Sequence, residues 1–233
     1  MKKTQNLRGV IVTGGSGALG RAVVAKFLEA GDRVLVPWIL KAECDALEAE
    51  EGAALGARRL VLVEADLAEE SGARLVAGAL PEAEVLVNGV GGFLGGPPVL
   101  ETELEVWDRM FRMNVRTAVA MSRAVLPGML ARGRGAIVNI ASRAAFDRPA
   151  GLAAYASAKA AIVVLTETLQ RELQAQGVRV NAVVPTTIDT PANRAAMPDA
   201  DYSLWTPPAR IAEVIHWLAS DASASVRGGL IPV

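Results

Sequence analysis

Short apolar runs alternate with amphipathic stretches along the whole chain. The runs are rich in Val and Ile, as in strands that are covered on both faces, while the stretches between them show helical spacing. Strands are predicted at residues 9–13, 33–36, 59–64, 84–88, 135–141, 178–184 and 230–233. This alternation predicts an α/β fold, doubly wound, with one parallel sheet of about seven strands.

Length and charge limit the classes of function. The 233 residues suit one α/β domain, so a single domain over 1–233 is predicted. The 24 Lys and Arg are interspersed with 25 Asp and Glu, which argues against a nucleic-acid partner. Cys44 is alone, and no His/Cys cluster suggests a metal site. No apolar run approaches the ~18 residues of a membrane span, and residues 1–6 do not resemble a signal peptide. We therefore expect a cytoplasmic protein without membrane contact.

The first strand leads directly into a glycine-rich turn. Residues 9–13 read as a buried strand, residues 14–20 (GGSGALG) as the turn, and residues 21–30 as an amphipathic helix. Glycines allow a close backbone approach and a helix N-terminus favours negative charge, so this order is typical of dinucleotide-phosphate binding. A glycine-rich segment alone is also compatible with a simple turn.

Tyr155 and Lys159 form a candidate proton-transfer pair. Positions four apart lie on one face of a helix. A cation ~4 Å from the phenol, at an effective dielectric of ~20, favours the phenolate by about 4 kcal/mol before desolvation is subtracted. We therefore expect Lys159 to lower the pKa of Tyr155 from about 10 towards neutrality. Ser142, at the end of a predicted strand, is placed to hold a substrate oxygen beside it.

Together these residues resemble the short-chain dehydrogenase/reductase family over nearly the whole chain. The matching segments are the loop 13–20, with Ala18 in place of the middle glycine, Asp66-Leu67, 88–91, Asn114, Ser142, Tyr155-x-x-x-Lys159 and 185–190, with Thr186 in place of a glycine. The resemblance implies a Rossmann domain and hydride transfer between nicotinamide and a carbonyl, alcohol or imine-like substrate.

The family pattern also assigns roles. It implies that Tyr155 is the acid–base group, that Lys159 tunes it and contacts ribose, that Ser142 polarises the substrate and that Asn114 supports a water relay. The implied NAD(P)-binding residues are Gly14, Ser16, Gly17, Ala18, Leu19, Gly20, Trp38, Asp66, Leu67, Asn88, Gly89, Val90, Tyr155, Lys159, Pro185, Ile188 and Thr190. NADP is slightly favoured over NAD, because Trp38 stands where NAD-dependent relatives usually carry an acidic residue.

A narrower similarity concerns the substrate. The segments 14–20, 91–96 and 189–207 are similar to those of dihydropteridine reductases, which implies a pterin-like substrate as an alternative. Phe93 is a candidate for stacking on a flat heterocycle or on nicotinamide, and Arg143 for attracting an anionic substrate. Prolines break up residues 186–209, so we expect a loop with little regular structure that covers the substrate through Met197 and Trp205. The alternative is that this segment only caps the core.

Two further expectations concern assembly and class. The predicted helix between residues 153 and 173 carries Ala153, Ala156 and Ala160 on one side, which favours close helix packing in a homo-oligomer, a tetramer or a dimer. A regulatory protein that binds nucleotide without turnover is the alternative to an enzyme. A hydrolase is disfavoured because no G-x-S-x-G elbow is present.

Overall fold

The predicted apolar runs form one parallel sheet. The computed structural model describes residues 7–233, so the interpretation of residues 1–6 lies outside it. Across that range the seven strands are β1 Gly9–Thr13, β2 Arg33–Trp38, β3 Leu60–Glu64, β4 Ala83–Asn88, β5 Gly135–Ile140, β6 Val178–Val184 and β7 Leu230–Pro232. Their order is β3-β2-β1-β4-β5-β6-β7. The order reverses between β1 and β4, so the doubly wound fold is confirmed and a crevice opens at the carboxyl edge there.

Helices connect the strands and cover both faces of the sheet. They are α1 Ala18–Glu29, α2 Lys41–Glu50, α3 Gly52–Gly56, α4 Glu70–Ala79, α5 Leu104–Phe111, α6 Thr117–Arg132, α7 Ala144–Asp147, α8 Ala153–Glu172, α9 Pro191–Ala196 and α10 Pro208–Leu218. A π-helical turn, Arg112–Arg116, joins α5 to α6. Within residues 7–233, none of the helices has the length and apolarity to cross a bilayer.

The two faces of the sheet have separate cores. On β1, Val10 and Val12 pack with Phe27 of α1 and Ile215 of α10. Ile11 points to the opposite face, into a cluster that includes side chains of α4 and α6. These side chains are almost completely buried, and each contributes about 1.5–3 kcal/mol relative to exposure. Burial on both faces explains why the strands read as continuous apolar runs.

β2 is longer than predicted. The sequence suggests an end at residue 36, because Pro37 cannot donate a ladder hydrogen bond. In the structure, β1 pairs with β2 only as far as Leu35, whereas Pro37 pairs with Val63 of β3. The ladder to β1 therefore ends before Pro37, as expected where proline supplies no donor, while the ladder to β3 continues to Trp38. The extension carries Trp38 to the carboxyl edge of the sheet.

The first helix begins earlier than predicted, at Ala18 instead of residue 21. Gly14 has φ +67°, and a methyl group on Gly20 would lie 1.9 Å from the Gly14 carbonyl oxygen. Both positions therefore need glycine, because the turn folds the start of α1 against the end of β1. Ala18, which replaces the middle glycine of the family motif, is the first residue of α1.

The expectation of little regular structure in residues 186–209 is wrong. The segment contains α9 and a 3₁₀ turn, Tyr202–Leu204. Pro191 starts α9, since proline suits the first turn of a helix, and Thr190 Oγ1 caps α9 by accepting a hydrogen bond from Asn193 N at 3.2 Å. The ends of the segment are joined, because Asp189 N donates to Thr206 O at 3.0 Å. The segment is thus an ordered loop region whose two ends are hydrogen-bonded to each other.

Candidate active site

A cavity of about 640 Å³ opens beside the carboxyl ends of β1 to β4. Predicted nucleotide-binding residues that line it are Gly14, Ser16, Gly17, Ala18, Leu19, Gly20, Trp38, Asp66, Leu67, Gly89 and Val90. The lining also contains Glu43 and Arg112, which are not among the residues predicted from the sequence. The sequence could have indicated Glu43, because this residue lies in the first turn of α2, the helix that follows β2. Arg112 gives no comparable signal, because its contact with the cavity depends on the π-helical turn.

The glycine turn provides an anion site at the N-terminus of α1. Gly17 precedes the helix, and no side-chain cap is found there in the described chain. The first-turn N–H groups are therefore available to a negatively charged group. Thr13 Oγ1 fixes the facing wall by accepting hydrogen bonds from Gly89 N at 3.0 Å and Val90 N at 3.2 Å. The cavity is large enough for a dinucleotide, and the uncapped amides suit its phosphates.

Asn88 differs from the other predicted nucleotide-binding residues. Its side chain is buried and donates to Ser122 Oγ at 3.2 Å and Asn139 Oδ1 at 2.8 Å. Asn139 Nδ2 in turn donates to Thr166 Oγ1 at 2.8 Å. Because side chains alternate along a strand, Asn88 points into the protein and supports the cavity from below. The geometry does not favour direct contact of its side chain with the nucleotide.

The predicted catalytic side chains converge next to this cavity. Ser142 lies close enough to Tyr155 for its hydroxyl to lower the pKa of the phenol. Lys159 Nζ donates to Ile140 O at 2.8 Å and lies 5.9 Å from the centre of the Tyr155 ring. A methyl group on Gly91 would come within 3.4 Å of Lys159 Nζ and 2.7 Å of an oxygen of Asn114. The ends of β4 and β5, the π-helical turn and α8 thus bring these groups together.

Asn114 holds the glycine-rich segment after β4. Its Oδ1 accepts from Gly92 N at 3.3 Å, and its Nδ2 donates to Gly92 O at 3.0 Å and to Met110 O at 3.0 Å. The side chain is buried, and the bonds to both backbone groups of Gly92 fix the start of residues 91–96. Asn114 therefore positions the segment that carries Phe93.

The pKa values of the pair differ from the expectation. Burial raises the pKa of Tyr155 above its usual value near 10, and the hydrogen bond with Ser142 only partly offsets this. Burial lowers the pKa of Lys159 to about 8. The expected lowering of the Tyr155 pKa towards neutrality is wrong, because the ammonium lies beside the ring and bonds to the Ile140 carbonyl, while the phenol is largely desolvated. At neutral pH Tyr155 is therefore a protonated phenol, able to donate.

Phe93 and Arg143, the predicted substrate-side residues after β4 and β5, have different surroundings. Phe93 is 60% exposed and meets Tyr155 edge to face, with ring centres 5.0 Å apart. The Arg143 guanidinium bonds to both carboxylate oxygens of Asp147, at 2.9 and 3.1 Å. Arg143 is therefore already paired, and its expected role in attracting an anionic substrate is weakened. Its backbone N–H donates to Pro185 O at 2.8 Å, which joins the ends of β5 and β6.

The remaining predicted residues follow β6 and are outside the lining of the 640 Å³ cavity. Ile188 O accepts a hydrogen bond from Asn193 Nδ2 at 2.8 Å. Met197 is 41% exposed, and the half-buried Trp205 packs on Tyr202 with ring centres 4.7 Å apart. Within residues 7–233, no group of three or more His, Cys, Asp or Glu side chains is arranged to hold a metal ion.

Comparisons with known proteins agree on one family. The sequence profile described as short chain dehydrogenase matches residues 8–201. The chain is 33% identical to L-xylulose reductase of Bos taurus, over 97% of this chain and 94% of that protein. It resembles the crystal structure of a blue fluorescent protein from a metagenomic library in complex with NADPH (TM-score 0.85, 30% identity, 97% and 96% coverage). It also resembles a 3-oxoacyl-(acyl-carrier protein) reductase with bound NAD from Brucella melitensis (TM-score 0.86, 28% identity, 97% and 89% coverage).

The buried ammonium of Lys159 predicts a pH-dependent stability. Below pH about 8 both the folded and the unfolded chain hold this proton, and the desolvation penalty is fully present. Between about 8 and 10.5 the unfolded state holds more of the proton, so the free energy of unfolding rises with pH. Lys159→Met lacks this rise. We therefore expect the free energy of unfolding of Lys159→Met, minus that of the native protein, to be highest near pH 7 and to decrease by about 3 kcal/mol by pH 10.5.

Urea unfolding of both proteins at pH 7, 8, 9 and 10 measures this difference. Lys26→Met removes a partly exposed lysine of α1 and is the matched control. A difference between Lys159→Met and the native protein that stays constant with pH would contradict the assignment of a costly buried charge.

Proposed function

Because the chain belongs to the short-chain dehydrogenase/reductase family, we propose that this NAD(P)-dependent oxidoreductase transfers a hydride between its coenzyme and a small carbonyl or alcohol substrate. The observation that carries the proposal is the convergence of Tyr155, Ser142 and Lys159 at the edge of the glycine-loop cavity. The single domain 1–233 would contain the whole site.

Binding of the coenzyme is assigned to the glycine turn and its surroundings. The uncapped amides of α1 would hold the pyrophosphate, and Trp38 and Asp66 would flank the adenosine. Thr190 and the Ile188 backbone would orient the carboxamide. The Thr190 oxygen already accepts a bond from Asn193, but its hydroxyl proton remains able to donate. NAD(P), when bound, supplies or accepts the hydride.

Proton transfer is assigned to Tyr155. Ser142 and Tyr155 would donate hydrogen bonds to the carbonyl oxygen of the substrate, and Tyr155 would give up its proton as that oxygen gains negative charge. The nearby Lys159 ammonium would stabilise the resulting phenolate. A water beside Lys159 and Asn114 would return the proton from solvent. A phenol whose pKa is raised by burial is protonated at neutral pH and can therefore act as the proton donor in carbonyl reduction.

Two alternatives differ in the support they have. An exposed Phe93 edge-on to Tyr155 favours a flat heterocycle, so reduction of a pterin-like substrate, as by a dihydropteridine reductase, is the second candidate. A regulatory protein without turnover has no comparable support, because it does not need Tyr155, Ser142 and Lys159 close together. The coenzyme is NAD or NADP, and the slight preference for NADP rests on Trp38 alone.

We also propose that the chain forms a homo-oligomer, a tetramer or a dimer, and acts in the cytoplasm. Helices α5 and α8 pack together and leave Leu104 and Val164 exposed, by 76% and 61%. Ala153, Ala156 and Ala160 line an open groove of about 490 Å³, and Ala160 lies one turn before Val164 on the same face of α8. Exposed apolar groups of this kind typically mark a surface that is buried by a partner.

Replacing Tyr155 tests the proton-transfer role. Tyr155→Phe removes the phenolic proton with little change in volume, so turnover should fall by ~10²-fold or more while coenzyme affinity persists. The measurement is the oxidation of NADH and NADPH with quinonoid dihydropterin, β-ketoacyl and small ketone substrates. Tyr202→Phe makes the same chemical change at the only other tyrosine of the chain, and should lower the rate much less. Most of the activity surviving in Tyr155→Phe would remove this residue from the mechanism.

Replacing Trp205 tests whether the segment after β6 covers the substrate. If it does, Trp205→Ala should raise the KM or lower the kcat by several-fold, while coenzyme affinity changes little. Leu204→Ala, which shortens a neighbouring side chain that is 77% exposed, is the control. If Trp205→Ala loses stability but its folded fraction has normal kinetics, the residue caps the core and covers no substrate.

Light scattering tests the assembly. At micromolar concentration we expect the mass of a dimer or a tetramer of the 24.3 kDa chain. Val164→Asp should shift the mass towards that of the monomer, because the new carboxylate would be desolvated at the contact. Leu75→Asp changes a leucine of α4 that is 54% exposed and should leave the mass unchanged. A native protein that scatters as a monomer would contradict the proposal.

A further inference from the structure

Glu43 places a carboxylate in the wall of the cavity that would receive the coenzyme. It lies in the first turn of α2, and its Oε2 accepts a hydrogen bond from Ser16 Oγ in the glycine turn at 3.1 Å. On the basis of the proposed function, we propose that Glu43 recognises the 2′ position of the adenosine ribose and makes this enzyme bind NAD more tightly than NADP.

The position of the carboxylate carries the assignment. In doubly wound folds the pyrophosphate lies at the start of the first helix, and the adenosine ribose lies at the carboxyl end of the second strand. Here these places correspond to the glycine turn with Ser16 and to Trp38, and both line the same cavity. Glu43 also lines this cavity and bonds to Ser16, so its carboxylate lies where the ribose would meet the protein.

The chemistry distinguishes the two coenzymes. A carboxylate accepts hydrogen bonds from the 2′- and 3′-hydroxyls of NAD, whereas a 2′-phosphate offers it negative charge and no matching donor. The N-terminus of α2 would otherwise favour a phosphate, but Glu43 already supplies the negative charge in that turn. The same helix end therefore disfavours NADP.

Cations near this end of the cavity already have carboxylate partners. Lys41 is paired with Asp45 on the exposed side of α2. Arg21 bonds to Glu50 at 3.0 Å. The helix therefore supplies negative partners to both cations, and a 2′-phosphate would compete with these exposed pairs for them.

On the other wall, Arg112 bonds to Asp66 and to Glu69, each at 3.0 Å. This cation is therefore engaged by two carboxylates next to the end of β3. The preference for NAD is opposite to the slight preference for NADP inferred from Trp38, because the end of β2 itself carries no carboxylate. The carboxylate comes from the next helix instead.

Binding of NADH and NADPH measures the inference without requiring a known substrate. The dissociation constants of both are determined by fluorescence titration for the native protein, Glu43→Gln and Glu48→Gln. Glu43→Gln keeps an acceptor for Ser16 but removes the charge, and because Glu43 is exposed the fold should tolerate it. Glu48→Gln removes the same charge from the same helix outside the cavity lining.

We expect the native protein to bind NADH about tenfold or more tightly than NADPH, and Glu43→Gln to reduce this ratio by about tenfold, mainly through tighter NADPH binding. Glu48→Gln should keep the native ratio. Equal or tighter binding of NADPH by the native protein, or an unchanged ratio in Glu43→Gln, overturns the role of Glu43 and leaves the proposed function standing. Failure of the native protein to bind either nucleotide overturns the proposed function itself.

Discussion

The burial of one ammonium group constrains the whole catalytic edge of the sheet. Lys159 is 6% exposed, and the Ile140 carbonyl at the end of β5 is its hydrogen-bond acceptor at 2.8 Å. A buried charge without such a partner would be strongly destabilising. The bond therefore fixes α8 against β5, and with it Tyr155 one turn earlier on the same helix. Ser142 lies two residues after the end of β5, so the same contact brings the two hydroxyls together.

The surrounding backbone is organised by a few polar side chains. Thr13 joins the end of β1 to the turn after β4 by accepting two backbone hydrogen bonds. Asn114 holds the next segment through both backbone groups of Gly92. Because parallel strands end at one edge, groups that are distant in sequence meet there, and short polar contacts then fix their relative positions. The nucleotide and substrate sides of the edge are linked through residues 89–92.

The sequence predicts the sheet well, because its strands are buried on both faces and read as uninterrupted apolar runs. The sequence also predicts most of the residues that line the glycine-loop cavity, because the close contact of Gly14 with Gly20 tolerates only glycine. It misses the pKa direction of Tyr155, because residue spacing shows that a cation is near but does not show how far the phenol is desolvated.

Tertiary contacts explain the other differences. The pairing of Arg143 with Asp147 depends on the short helix α7, and the bond of Glu43 to Ser16 depends on the way α2 approaches the glycine turn. Prolines in residues 186–209 are ambiguous, because the same residue that interrupts a helix also starts one at its first turn. The carboxylate of Asp189 holds Arg194 at 2.6 Å, so that arginine, like Arg143, is neutralised within its own segment. The substrate side therefore presents the ring of Phe93 and hydroxyl groups, while both arginines are held within their own segments.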